Sequence, residues 1–144
     1  RRVLFRSPLG LEDGRVPDQV MTASSYNNIY DAPWNARLNR RRYSRFGGGW
    51  SPRRNDGHRF LQVDFQALAK VTRVATQGMQ NTNYWVKKYY IKYSRRRTGF
   101  ATYREGRTTK VCFTYLCDVK ASSPDFAQTV QGRFFQGDHL NTSY

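Results

Sequence analysis

The chain of 144 residues contains few acidic residues, few cysteines and histidines, and no long apolar run. Only 10 residues are Asp or Glu while 25 are Lys or Arg, which gives a formal net charge of +15 at pH 7. Because aromatic residues make up 15% of the chain, this charge does not indicate disorder. It indicates a polyanionic partner, for which anionic lipid head groups, sulfated glycans and nucleic acid all qualify.

No stretch approaches the roughly 20 apolar residues that a membrane-spanning helix needs. The first seven residues, RRVLFRS, lack the apolar region and cleavage site of a secretory signal. We interpret residues 1–7 as a non-native scar and residues 8–144 as a single domain, since this length supports one core. Without the three arginines of the scar the formal charge is still +12.

The chain contains two cysteines, and its two histidines lie far apart in the sequence, so it offers no catalytic constellation. Cys112 and Cys117 could form a local disulfide, bind a metal with other ligands or be unpaired, and we favour the unpaired interpretation. A nucleophile pair of Cys117 and His139 would lack a third, orienting group, and His58 lies in a polar turn. The sequence therefore predicts no enzyme, no catalytic residue, no metal site and no cofactor.

Alternating apolar residues predict short strands at 19–25, 60–65, 71–76 and 85–94. In the last segment both faces carry aromatics, so the period does not decide which face lies inward. Short strands at this spacing, with no helical periodicity, predict an all-β sandwich or barrel. We expect the core to contain Trp50, Leu61, Val63, Phe65, Val71 and Val74.

Four segments carry a resemblance to a known family: PLGLEDGRVPDQVMTASS at 8–25, ARLN at 36–39, GGGW at 47–50 and RFLQVDFQALAKVTRVATQG at 59–78. In this order they resemble the discoidin domain, or coagulation factor V/VIII type C domain, over about residues 8–111. The resemblance implies a jelly-roll β-sandwich of the galactose-binding type. It also implies a binding module of extracellular proteins, secreted or on a membrane ectodomain, beside further domains of a larger parent.

The sequence departs from the family after residue 111. The phrase FFQGDHLNT at 134–142 resembles a family motif but comes about twenty residues late, so residues 112–133 look like an insertion or a read-through segment. We expect this segment to pack poorly against strands 60–76, and the domain to be partial, with its C-terminal strands missing. The family's usual terminal disulfide is absent, and Cys112 and Cys117 are not carried over as that pair.

The resemblance also places three projecting loops on this sequence, at 26–31, 40–46 and 79–84. In relatives that bind membranes such loops carry apolar or aromatic tips ringed by basic residues. Here the tips are Ile29 and Tyr30 on the first loop, Tyr43 and Phe46 on the second, and Tyr84 on the third. The alternative is that these side chains fold back under their own loops. The predicted ligand-binding residues are Tyr26, Asn28, Ile29, Tyr30, Arg40, Arg41, Arg42, Tyr43, Arg45, Phe46, Asn81, Asn83 and Tyr84.

The predicted partner is an anionic membrane surface or a cell-surface glycan, with an extracellular protein as a further candidate. The polar third loop, QNTNY, suits hydrogen bonding to sugars. The alternative function is a basic domain that binds nucleic acid or a heparin-type polyanion through Arg53, Arg54, Arg59, Lys87, Lys88, Arg95, Arg96 and Arg97. A solvated face is favoured for these residues. Nucleic acid is disfavoured because the best exposed aromatics lie in loops rather than on a sheet.

Overall fold

The computed structural model describes residues 8–44, 47–113, 116–119 and 127–134, the last range by its backbone alone. Within these residues the secondary structure consists of strands and three short 3-10 helices, which confirms the all-β prediction. The strands are β1 Met21–Ala23, β2 Phe60–Ala69, β3 Arg73–Ala75, β4 Lys88–Ser94, β5 Ala101–Thr102, β6 Arg104–Glu105, β7 Thr108–Thr109, β8 Val111–Phe113, β9 Leu116–Asp118 and β10 Ala127–Phe134. The 3-10 helices are Asp18–Val20, Ile29–Asp31 and Pro33–Asn35.

The main sheet has the strand order β1-β2-β10-β4-β5, and β8 pairs with β4 beside β5. All of its pairs are antiparallel. Phe60 and Tyr90 both lie opposite position 133, while Asp64 and Ser94 both lie opposite position 129. Strands β2 and β4 therefore run in the same direction. The sheet has one end near Phe60, which we call the loop end, and an opposite end near Ser94.

The core lies between the main sheet and the small β3–β9 sheet. Tyr89 and Ile91 of β4 point inward and are 1% and 3% exposed, which settles the face that periodicity left open. They pack with Trp50, which is fully buried, and with the β3–β9 layer through Val74. Burial raises the pKa of Tyr89 to about 12, against the opposing effect of a hydrogen bond with the Thr76 side chain. The phenol is therefore neutral at physiological pH.

The predicted core residues differ in how far their side chains are buried. Trp50 and Val63 are buried as predicted. Leu61, Phe65 and Val74 are half-buried and pack against the two buried clusters, because β2 and β3 carry one face each toward solvent. The fourth half-buried residue is Val71, which lines an apolar cavity of about 380 Å³. The predicted strands all form, although β1, β3 and β4 are shorter than the predicted ranges and β2 is longer.

The expectation that residues 112–133 pack poorly against strands 60–76 is wrong. Strand β10 lies between β2 and β4 and pairs with both, and β9 pairs with β3. Backbone hydrogen bonding does not depend on side-chain identity, so a segment of strand-forming residues can fill the gap between two parallel strands. The boundaries at 1–7 and 8–144 stay predictions, and residues 1–7, Tyr115 and His139 lie outside the described residues.

The interpretation of Cys112 and Cys117 as unpaired is also wrong. The two sulfurs form a disulfide whose Cα atoms lie 5.5 Å apart. Both residues are buried in the core, at 2% and 3% exposure, while Phe113 and Leu116 beside them are exposed. The disulfide links β8 of the main sheet to β9 of the second sheet. It therefore ties the two layers of the sandwich together.

Arg37, from the ARLN segment, is a charged residue inside the molecule, at 6% exposure. Its guanidinium donates hydrogen bonds to the Leu11 carbonyl, to the Val16 carbonyl at 2.8 Å and to Asp18 Oδ1 at 2.5 Å. The Val16 amide in turn donates to the Gly10 carbonyl at 2.9 Å. Arg37 thus holds the PLGLEDGRV segment against the sheet, which explains why these two sequence motifs occur together.

We predict that Arg37→Met lowers the free energy of unfolding by about 2–3 kcal/mol, because two backbone carbonyls lose a charged donor. Urea denaturation measures the loss. Arg73→Met is the matched control, since the Arg73–Asp118 pair has N and O 2.6 Å apart but both side chains are more than half exposed. That control should lose less than about 1 kcal/mol. Equal losses would show that Arg37 contributes no more than a surface ion pair.

Candidate functional site

A polar corner at the loop end sets the base of the first loop. The Ser24 and Ser25 hydroxyls donate to Asp56 Oδ2 at 2.5 and 2.6 Å, and the Phe60 amide donates to Ser24 Oγ at 3.0 Å. The Trp50 indole N–H donates to the Ser25 carbonyl at 2.8 Å. These contacts join the end of β1, the start of β2 and the buried Trp50. We call this group the serine corner: Ser24, Ser25, Trp50 and Asp56.

Asp56 is held in its ionised form by the serine corner. Partial burial alone would raise its pKa, but the hydrogen bonds from the Ser24 and Ser25 hydroxyls and from the His58 amide outweigh this effect. The pKa of Asp56 therefore lies below its ordinary value of 3.8. The carboxylate is charged at physiological pH and acts as the acceptor that fixes the turn at 52–59.

The first loop, residues 26–31, is fixed by its own side chains. Asn28 Oδ1 accepts from the Tyr30 amide at 2.8 Å and caps the 3-10 helix Ile29–Asp31, and Asn28 Nδ2 donates to Asp31 Oδ2 at 2.7 Å. The buried Asn35 donates from Nδ2 to the Tyr30 carbonyl at 2.9 Å. Both polar ends of Asn28 are thus used inside the loop, which makes it a positioning residue.

The tip of this loop projects outward. Ile29 is 57% exposed and Tyr30 is 48% exposed, so these two side chains do not fold back under the loop. Tyr26, at the base, is 39% exposed. An isoleucine held on a capped turn is costly to leave in water, since burying such a side chain is worth about 1.5–3 kcal/mol. The tip is therefore an apolar contact point presented on a fixed backbone.

The second loop lies against the first. Gly47 is close to it, because a Cβ added there would lie 3.8 Å from the Tyr30 carbonyl oxygen. Gly48 has φ +97° and room for no side chain, since an added Cβ would lie 2.5 Å from Arg42 Cγ. The GGGW segment therefore turns under the loop. Its predicted site residues differ in exposure: Arg40, Arg41 and Tyr43 are exposed, Arg42 is half-buried, and Arg45 and Phe46 lie outside the described residues.

The third loop, residues 79–84, closes on itself. The Met79 amide donates to the Tyr84 carbonyl at 3.0 Å, and the Thr82 hydroxyl donates to the Met79 carbonyl at 2.9 Å. Met79 is buried under the loop, whereas Asn81, Asn83 and Tyr84 are exposed. Just before the loop, Gln77 Oε1 accepts from the Asn39 amide at 2.8 Å, beside the start of the second loop. The contacts thus bring the three predicted loops to one end of the sheet.

Two tryptophans at this end were not predicted as site residues. Trp34 stands beside Tyr26, with ring centroids 6.2 Å apart and ring planes inclined at 58°. With Asp18, Gln19 and Thr22 these rings line an open cleft of about 450 Å³. Trp85 was assigned to a strand, but β4 begins only at residue 88, and Trp85 is 44% exposed beside the third loop. The sequence shows that both segments contain a tryptophan, but it does not show whether the side chain is accessible to solvent.

The described residues offer little for catalysis. They contain no group of three His, Cys, Asp or Glu side chains placed to hold a metal ion. Cys117 is bonded to Cys112, so its sulfur is not a thiolate nucleophile. No helix within the described ranges is long and apolar enough to cross a membrane.

Comparison with known families decides the class of the domain. The model of the F5/8 type C domain matches residues 20–136, which is most of the chain. The chain belongs to the F5/8 type C domain family. This confirms the resemblance found in the four sequence segments. The matched range also includes residues 112–136, which lie beyond the region of the sequence resemblance.

A curated relative supports the assignment to the F5/8 type C domain family. Coagulation factor V of the snake Pseudonaja textilis is 33% identical over 104 residues, which cover 71% of this chain and 7% of that protein. The chain thus spans a small part of the length of this relative. The similarity concerns one F5/8 type C domain and does not transfer the activity of the whole protein.

Solved structures support the fold. Discoidin II of Dictyostelium discoideum superposes with a TM-score of 0.67 at 19% identity, over 85% of this chain and 51% of that one. A family 32 carbohydrate-binding module of C. perfringens NanJ, solved with galactose, superposes with a TM-score of 0.50 at 19% identity, over 86% and 88% of the two chains. The F5/8 type C domain is therefore a jelly-roll sandwich of the galactose-binding type, as predicted.

The hydrogen bonds of the serine corner predict how the stability of the domain depends on pH. Because the folded pKa of Asp56 is lowered, the stabilising contribution of this carboxylate is complete well above its ordinary pKa of 3.8 and is lost as pH falls through the folded value. We expect Asp56→Asn to lower the free energy of unfolding by about 2 kcal/mol at pH 7, because acceptor strength is lost to three donors. The difference from the unaltered chain should shrink below about pH 4. Chemical denaturation at several pH values measures both quantities, and a loss that does not change with pH would exclude an ionised Asp56 as the cause.

Proposed function

We propose that this F5/8 type C domain is a non-catalytic extracellular binding module that attaches through its loop end to an anionic phospholipid surface or a glycan. The observation that supports this proposal most directly is the exposure of Ile29 and Tyr30 on the capped turn of the first loop. This turn lies beside a basic loop. Arg40 and Arg41 are exposed in that neighbouring loop. An apolar tip ringed by cations suits an interface between acyl chains and anionic head groups.

The energies are sufficient for reversible attachment. Burying Ile29 in the acyl region contributes about 1.5–3 kcal/mol, and the phenol of Tyr30 can remain at the head groups. Each arginine near an anionic surface contributes about 1 kcal/mol. Because the first loop is already ordered by Asn28 and Asn35, little conformational entropy is lost on binding. Ile29 and the two exposed arginines together therefore contribute about 3.5–5 kcal/mol, which is enough for weak, reversible attachment.

A glycan ligand is supported by a separate observation. The Tyr26–Trp34 cleft combines an aromatic wall with the carboxylate of Asp18, the amide of Gln19 and the hydroxyl of Thr22. Sugar rings present apolar C–H faces and several hydroxyls, so this combination fits a saccharide. The exposed Asn81 and Asn83 of the third loop add hydrogen-bonding groups at the same end. The cleft is the specific reason to keep a glycan beside phospholipid as the ligand.

An extracellular location is supported by the disulfide. The Cys112–Cys117 bond links the two layers of the sandwich, and structural disulfides persist in oxidising compartments. The relatives with this family of domain include coagulation factor V, of which such a domain is a small part. We therefore propose a secreted protein or a membrane ectodomain, with this domain as one module of a larger parent. An extracellular protein partner stays a further candidate.

The central prediction concerns the apolar tip. We expect Ile29→Ser to weaken binding to vesicles containing phosphatidylserine by about 10-fold or more, because the insertion energy of one side chain is lost. Leu68→Ser is the matched control, since Leu68 is also 57% exposed but lies near the opposite end of β2. That control should bind vesicles like the unaltered chain. Cosedimentation with vesicles measures both affinities.

The dependence of vesicle binding on salt concentration distinguishes insertion of an apolar side chain from electrostatic attraction alone. Raising the ionic strength should weaken vesicle binding without abolishing it, because salt screens the arginines but not the insertion of Ile29. Vesicles of neutral lipid should bind more weakly at every salt concentration. If Ile29→Ser and Leu68→Ser bind equally well, the insertion mechanism is wrong. Retained binding to galactose-containing oligosaccharides in the absence of vesicle binding would then favour the glycan.

A further inference from the structure

A second basic surface lies along the outer edge of the main sheet and starts at the end opposite the loops. It is formed by residues 95–110, which contain six arginines and lysines and a single acidic residue, Glu105. The segment begins where β4 ends, at Ser94, which is level with Asp64. The loop end is instead marked by Tyr90 and Phe60. We call residues 95–110 the edge strip.

The turn at the start of the edge strip is held in place by buried groups. The Ser94 side chain, in a residue that is 5% exposed, donates to the Thr98 carbonyl at 2.5 Å and accepts from the Arg96 amide at 3.0 Å. Arg97 Nε lies 2.6 Å from Asp64 Oδ2, and the Asp64 side chain is 11% exposed. The turn therefore has one preferred conformation. It presents Arg95 and Arg96 to solvent.

A short hairpin carries the next cations. Strands β6 and β7 are joined through Gly106, whose φ of +63° suits a tight turn. Tyr103, at 1% exposure, anchors the hairpin: its amide donates to the Ile91 carbonyl at 2.8 Å and its carbonyl accepts from the Lys110 amide at 3.2 Å. The hairpin therefore leaves the sheet at the level of Ile91. This is three residues, or roughly 10 Å, along β4 from the turn at Ser94.

Most of this charge is not neutralised within the described part of the chain. The carboxylates of Asp64 and Glu105 pair with Arg97 and Lys110. No described carboxylate forms an ion pair with the remaining four cations, which are all exposed: Arg95, Arg96, Arg104 and Arg107. The two pairs of arginines thus lie on either side of β5, the terminal strand of the described sheet: Arg95 and Arg96 are in the turn before it, and Arg104 and Arg107 are in the hairpin after it.

We propose that the edge strip binds a linear sulfated glycan. Arginine pairs with sulfate through two parallel hydrogen bonds, and four of these guanidiniums are free of ion pairs with described carboxylates. The two separated pairs fit an extended chain with repeated anionic groups better than one isolated anion. A membrane is disfavoured, because the edge strip has no exposed apolar tip comparable with Ile29.

The aromatic residues of the edge strip disfavour nucleic acid. Single-strand binders stack bases on exposed aromatic faces. In this segment Tyr103 is buried and Phe100 is half-buried, so neither presents a free face. Recognition must therefore come from charge and hydrogen bonding alone. This surface is distinct from the loop end, and the proposal stands whether or not the loops bind lipid.

The test compares two variants that each lose three positive charges, one in the edge strip and one at the loop end. In one variant Arg95, Arg96 and Arg107 are replaced by Ser, and in the matched control Arg40, Arg41 and Arg54, all exposed at or near the loop end, are replaced by Ser. We expect the first variant to bind heparin roughly 10-fold or more weakly at physiological salt, with a smaller slope of log affinity against log salt. The control should bind heparin within about twofold of the unaltered chain. Only the control should lose affinity for phosphatidylserine vesicles.

Three outcomes would overturn the proposal. Unchanged heparin affinity in the first variant would show that the edge strip is not the contact. Equal losses in both variants, with folding verified by circular dichroism, would show attraction to net charge rather than a site. Competition by single-stranded DNA as strong as that by heparin would assign the edge strip to nucleic acid. Failure of vesicle binding in the unaltered chain would count against the loop-end proposal alone.

Discussion

The loop end depends on the hydrogen bonds that the Asp56 carboxylate accepts from Ser24 and Ser25. This acceptor joins the end of β1 to the turn before β2, and the Ser25 carbonyl then receives the indole N–H of the buried Trp50. The first loop starts directly after Ser25, and the segment that ends the second loop leads into Trp50. Charge-assisted hydrogen bonds are stronger and more directional than neutral ones, so this corner fixes geometry as well as stability. The serine-serine pair of the sequence motif is thus structural support for a binding surface.

The fixed geometry has a consequence for binding. A loop that is disordered in solution must be ordered when it meets a surface, at about 0.5–1.5 kcal/mol for each immobilised side chain. In the first loop Asn28 and Asn35 already order the backbone around Tyr30. Under the proposed function, the energy of inserting Ile29 is therefore available for affinity. The asparagines of the loop are best understood as the means by which an apolar tip is kept exposed.

The sequence was sufficient for the family, the strands and the position of the loops, because each depends on local alternation or on motifs in order. The sequence was not sufficient to predict features that depend on contacts between residues far apart in the chain. The burial of Cys112 and Cys117 and the central place of β10 come from contacts with strands some forty to seventy residues away. The role of Arg37 likewise depends on three acceptors 19 to 26 residues distant. Trp34 and Trp85 were missed because aromatic character alone does not reveal exposure.

The basic residues also illustrate the value of topology. In the sequence Arg95, Arg96, Arg104 and Arg107 are four of many basic residues that occur in several strands and turns. The antiparallel order of the sheet places β4, β5 and the β6–β7 hairpin at one edge, so these residues gather there while Arg40 and Arg41 lie at the loop end. The proposed lipid contact at the loops and the proposed glycan contact at the edge therefore use different arginines on different elements of the fold. Under both proposals, a module that meets a membrane with its loops leaves its edge available to a glycan.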